Sequence, residues 1–215
     1  MLNWVFALFC ADSLIHVISC AAGKQRLRHI TKVLLMPLLA VAYITLCRRL
    51  SPIVIAGLAL GWIGDIMLLR PGVKRFQMLG IGAFLLGHIC YIAAMCVEFE
   101  LSARFLPWAC TAVLFAGISA VIYAVLWNKV APDMRAAGIG YFVVITALAV
   151  VSGMTVLSGC VQGICLLMGS VLFIISDSVL CYQTFTVGSP APKFDFTVML
   201  TYILAQSCII AGFCM

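Results

Sequence analysis

The chain has 215 residues, of which 65% are hydrophobic and only 9% charged, and its mean hydropathy is +1.22. A water-soluble globular domain needs more surface charge than this, so the composition excludes one and indicates an integral membrane protein. The net charge of +6 does not indicate a nucleic-acid partner, because the cations fall in short clusters between apolar runs, where they orient a chain across a bilayer.

At about 20 apolar residues per spanning helix, this length holds roughly eight helices with short loops and no soluble domain. Residues 1–215 therefore read as one integral membrane domain, an all-α polytopic helical bundle. Apolar runs bounded by charges, Pro or Gly predict spans at 2–22, 31–46, 52–69, 76–97, 105–127, 136–154, 160–182 and 195–214. Residues 1–9 lack the basic n-region of a cleaved signal and read as part of the first span. Eight spans put both termini on one side, and short connections make sequential helices antiparallel neighbours. Odd-numbered connections and their flanks carry Lys24, Arg26, Arg28, Lys32, Arg70, Lys74, Arg75, Lys129, Arg135 and Lys193, whereas even-numbered ones carry Arg48, Arg49 and Arg104. This bias places the odd connections in the cytoplasm and both termini outside it. A bacterial inner membrane is the expected location, with an endomembrane as the alternative.

Two carboxyls stand out. Asp65, in Ile63-Gly64-Asp65-Ile66-Met67-Leu68, and Asp177, in Ile175-Ser176-Asp177-Ser178-Val179-Leu180, each interrupt an otherwise apolar run. A carboxylate at membrane depth costs a few kcal/mol even on lenient scales, so it is expected to face the bundle interior with a partner. Both lie about five residues from the cytoplasmic ends of helices that run the same way, so they share one depth. His88 and Gln206 fall nearer the midplane, Tyr202 lies between, and Lys32 sits at the inner mouth. Lys32 either snorkels to the interface or contacts a lipid phosphate, and a structural ion pair of the aspartates with Lys32 or Arg70 is the alternative to a shared functional site. Asp12, a turn from His16, either lines the same cavity or pairs with that histidine. Gly57, Ile63, Asp65 and Leu68 match Gly169, Ile175, Asp177 and Leu180 at a constant offset, which suggests a four-plus-four parallel repeat. Gly57 with Gly61 and Gly159 with Gly163 form G-x-x-x-G pairs for close helix contact.

Two carboxyls close together in a low-dielectric cavity cannot both ionise easily, which yields one protonated acid beside one carboxylate. Such a pair suits hydrolysis that needs a proton donated to the substrate and a water activated. The same acids would equally serve a proton-coupled transporter of lipids or small molecules, or persist in a lipid-binding protein without turnover. The three histidines are too few and too scattered for a metal hydrolase, and no cofactor is expected. The 11 cysteines lie almost wholly inside apolar runs, at irregular spacings without a C-x-x-C, and read as small core residues rather than a disulfide framework. Oligomeric state is not legible.

Lys32 with Met36-Pro37-Leu38, Gly64-Asp65-Ile66-Met67-Leu68, Gly87-His88-Ile89-Cys90-Tyr91, Ser176-Asp177-Ser178-Val179-Leu180 and Thr201-Tyr202-Ile203-Leu204-Ala205-Gln206 together resemble the YhhN family, whose vertebrate members are lysoplasmalogenases. The resemblance runs across nearly the whole chain. It departs at Val33, where the family often has proline after the lysine, and in the sixth span beyond Tyr141, which lacks an expected methionine. The resemblance implies hydrolysis of the vinyl ether bond of a lysoplasmalogen to a fatty aldehyde and glycerophospho-ethanolamine or -choline. It would make Asp65, Asp177 and His88 the catalytic residues. Lys32, Tyr91, Tyr202, Gln206 and Asp12 would bind a lysophospholipid drawn from the bilayer.

Overall fold

The computed structural model describes residues 4–70, 72–99, 101, 105–187 and 191–215; Arg104 and the start of the first predicted span lie outside them. The described residues contain no strand. Eight α-helices follow in order: α1 (Trp4–Ala21), α2 (Gln25–Leu46), α3 (Pro52–Met67), α4 (Lys74–Glu98), α5 (Phe105–Leu126), α6 (Arg135–Leu157), α7 (Gln162–Tyr182) and α8 (Pro192–Cys214). A π-helical turn, Gln183–Val187, extends α7. Large apolar side chains such as Leu14, Val113, Val121, Val125 and Ile164 point outward, as they must where the surrounding solvent is lipid.

Two boundaries differ from the sequence reading. The second helix begins at Gln25 rather than residue 31, so Arg28 is helical and stands one turn before Lys32 on the same face. Among the described residues, seven helices are long and apolar enough to cross a membrane, but α3, with 16 residues, is not. Its rise of about 24 Å falls short of a hydrocarbon core of about 30 Å. This short helix carries Asp65.

Helix packing runs α1–α2–α3–α4–α6–α7–α8 and back to α1, with α2 also touching α8, while α5 lies against α6 and α7. The expectation that sequential helices are neighbours therefore meets an exception at α4, whose packed partners are α3 and α6. Small residues allow the closest approaches. A Cβ on Gly57 would stand 2.7 Å from the Tyr91 ring, and one on Gly169 would meet the Ala205 carbonyl at 2.9 Å, which brings α3 against α4 and α7 against α8. Gly159 does not act as a packing residue. It turns the chain between α6 and α7 at φ +83°, a conformation that a side chain disfavours.

Pro37, inside α2, lacks the N–H that would bond the carbonyl of Val33 one turn earlier. The Trp62 indole of α3 donates to that carbonyl instead, at 2.9 Å. A helix defect is thereby converted into a link between α2 and α3, beside Lys32 and three residues from Asp65.

Cys47 and Cys214 form a disulfide, with Cα atoms 4.6 Å apart, which departs for these two from the reading of the cysteines as small core residues. The ends of α2 and α8 meet at one face of the bundle, and 167 residues of separation hide that meeting from any spacing rule. The other nine cysteines are free.

Candidate functional site

The pairing of helices explains the site. On α3, Asp65 is buried, with 2% of its surface accessible, and both its oxygens are claimed. Lys32 of α2 lies 3.3 Å from Oδ1, and the Tyr202 hydroxyl of α8 donates to Oδ2 at 2.8 Å. On α7, Asp177 receives the Tyr141 hydroxyl of α6 on Oδ2 at 2.6 Å, and His88 Nε2 of α4 stands 3.6 Å from the same oxygen. Each acid is thus held by one helix before it in its own half and by the last helix of the other half. The constant sequence offset noted for the two acids reappears here as an exchanged pair of partners.

Lys32 does not snorkel. It is buried, with 6% accessible, because its ammonium has a carboxylate to pair with at depth, which offsets the cost of leaving water. Behind Tyr202 the polar chain continues: Gln206 Nε2 lies 3.5 Å from the Tyr202 oxygen, and the Tyr91 hydroxyl donates to Gln206 Oε1 at 2.7 Å. Gly61 makes room for this chain, since a Cβ there would stand 3.2 Å from Gln206 Nε2. Tyr91 and Gln206, expected as substrate contacts, are absent from the walls of the two cavities beside the acids and sit behind Tyr202. His88 likewise sits behind Asp177, packed edge-on against Phe173 at 4.7 Å between ring centroids.

The Tyr141 hydrogen is spent on Asp177, so the Tyr141 oxygen accepts from His88 Nε2 at 3.1 Å. That fixes the proton of a neutral His88 on Nε2. Its Nδ1 is buried without a hydrogen-bond partner.

Both acids open onto one cavity of about 190 Å³, whose wall also includes Arg28, Lys32, Phe84 and Tyr202. No hydrogen bond joins the two carboxyls, and α3 and α7 are not among the packed pairs. Helices α4 and α6 separate them on one side, α2 and α8 on the other. Their difference therefore comes from separate partners, a lysine for one and a tyrosine–histidine pair for the other, rather than from a proton shared in direct contact. A second cavity of about 90 Å³, walled by Ile81, Tyr123, Met134, Phe142 and Phe185, adjoins the first. Asp177, Leu68 and Phe84 line both.

Asp12 takes neither role foreseen for it. It is absent from both cavity walls, and His16 bonds Thr31 at 2.7 Å instead. Three cavity residues escaped the sequence reading. Tyr141 passed as an ordinary helix residue, Arg28 as a loop cation and Asp195 only as the first residue of the last predicted span. Spacing held the signal for two of them: Arg28 is i−4 to Lys32, and Asp195 is i−7 to Tyr202. Among the described residues, no group of three or more His, Cys, Asp and Glu is placed to hold a metal ion.

The fold and site define an integral membrane helical bundle with a buried, charge-lined cavity. The chain belongs to the YhhN family, whose model matches residues 27–213. That span contains every site residue except Asp12. No curated protein and no solved structure shows a significant match.

Proposed function

We propose that this protein is a lysoplasmalogenase, hydrolysing the vinyl ether of a lysophospholipid within the membrane. The observation that carries the reading is that Asp177 lines both the charged cavity and the apolar one beside it. An amphiphile bridging them would place the junction between its polar and apolar parts against this carboxyl. In a lysoplasmalogen that junction is the vinyl ether. Membership of the YhhN family is consistent with such an activity.

The partners of each acid suggest its role. Asp65, with an ammonium on one oxygen and a hydroxyl on the other, suits a lasting carboxylate. Asp177 has its Oδ2 occupied, which leaves Oδ1 to carry a proton. In this mechanism Asp177 protonates the β-carbon of the vinyl ether, and the C=C pair forms the new C–H bond while the ether oxygen stabilises the adjacent cation. Water adds to that oxocarbenium carbon, and an aspartate carboxylate accepts its proton. The hemiacetal then loses its hydroxyl proton as the ether C–O bond breaks and the glycerol oxygen takes up a proton, giving aldehyde and alcohol. The water's proton restores the acid form of Asp177, Tyr141 and His88 hold its Oδ2, and Asp65 steadies the cation.

Purified protein supplied with lysoplasmenyl-ethanolamine should release aldehyde, and Asp177→Asn and Asp65→Asn should each lower the rate by about 10²–10⁴. Wild-type protein that releases no aldehyde but moves the lipid across liposomes would instead identify a transporter.

A further inference from the structure

Beyond the reacting bond, the charged cavity has a distinct end built by residues that the mechanism does not use. Arg28 approaches Asp195 at 3.0 Å, and Gln183, in the π-helical turn, donates to the other Asp195 oxygen at 2.9 Å. These three line the same cavity as the acids. Its cations and anions pair off unevenly in their bonding. Lys32 is committed to Asp65. Arg28 uses one guanidinium nitrogen, Nη1, for both Asp195 and Gln25, whereas its Nε is buried without a hydrogen-bond partner. Its side chain is only 15% accessible, so water does not readily supply the missing acceptor.

A buried guanidinium N–H with no acceptor is costly, and the planar fork of Arg is shaped to take two oxygens of a phosphate. Asp195 has partners besides Arg28. It holds Gln183 and sits in the first turn of α8, where the helix dipole favours a negative charge. When Arg28 exchanges this acceptor for another, Asp195 keeps Gln183 and the α8 N-terminus, and the incoming phosphate must outweigh the lost ion pair.

We propose that Arg28 is the phosphate-binding residue of the lipid headgroup, with Asp195 as a placeholder that competes for it. This rests on the lysoplasmalogenase reading and deepens it: the chain lies in the apolar cavity, the vinyl ether against Asp177, and the phosphodiester at the Arg28 end. Asp195 then sets headgroup affinity by rivalry, and Gln183 holds it back when lipid enters.

Binding of saturated ether analogues, which have no vinyl bond to cleave, separates this site from turnover. Wild-type protein in detergent should bind 1-O-alkyl-lysophosphoethanolamine at least about tenfold more tightly than 1-O-alkylglycerol, which lacks the phosphate. Arg28→Gln should erase most of that preference, and Asp195→Asn, by removing the rival anion, should increase it. The opposite direction of the second change is not one that misfolding produces. An undiminished preference in Arg28→Gln, or a weaker one in Asp195→Asn, overturns the proposal, as does failure of wild type to discriminate the two analogues. Inorganic phosphate should compete only at far higher concentration than the lysolipid; equal potency would make this a free-phosphate site and refute the headgroup assignment. If the analogues behave as expected but the vinyl ether lipid yields no aldehyde, the enzyme reading fails and the headgroup site stands.

Discussion

Replacing Lys32 by methionine tests the central electrostatic claim. The side chains of Lys32 and Asp65 are 8% and 2% accessible, so Lys32→Met leaves a carboxylate buried with only the Tyr202 hydroxyl to compensate it. Breaking a buried ion pair by removing one partner typically costs about 3–5 kcal/mol. That is more than a hundredfold in the folded-to-unfolded ratio. Lys32→Met combined with Asp65→Asn removes both charges and should recover much of the loss. Unfolding by denaturant in mixed micelles, followed by tryptophan fluorescence, measures the single and double variants in one cycle. A cost under about 1 kcal/mol for Lys32→Met, as for an exposed or snorkelling lysine, refutes the buried ion pair. So does a double variant no more stable than the single one.

Tyr141→Phe should lower the hydrolytic rate about tenfold or more, by removing the hydroxyl that occupies Asp177 Oδ2 while leaving lysolipid binding in place; single-turnover measurements separate the two, and an unchanged chemical step would mean that Tyr141 does not position the acid. Trp62→Phe should destabilise the bundle by about 1 kcal/mol by orphaning the Val33 carbonyl. Adding Pro37→Ala should restore stability, because the new backbone N–H reaches that carbonyl, and no rescue would mean that the indole bond contributes nothing. Thiol titration of the unfolded protein should count nine cysteines before reduction and 11 after it, whereas 11 before reduction would exclude the Cys47–Cys214 bond.

The identity of the acids was legible because an ionisable group in an apolar run is conspicuous, and equal depth follows from helical rise alone. The offset between Asp65 and Asp177 even anticipated a symmetry of environment. Of their partners, only Lys32 was a candidate from the sequence. Tyr202 was singled out by depth and Tyr141 not at all, but nothing local distinguishes a tyrosine that meets an acid from one that meets lipid.

Composition and the spacing of charges determined that this chain is a bundle of helices in a membrane, because burying uncompensated backbone and charge in lipid leaves few other structures. Those one-dimensional features fix how deep a residue lies but not which way it faces. Rotation and helix order were decided only by packing: by Gly57, Gly61 and Gly169 letting helices close, and by the Trp62 bond at the Pro37 defect. That packing turned Lys32 from a presumed interfacial anchor into the partner of Asp65, moved Tyr91 and Gln206 behind the site, and brought Arg28 to its far end. A contact between helices depends on the angle each presents to the other, and that angle exists only in the assembled fold.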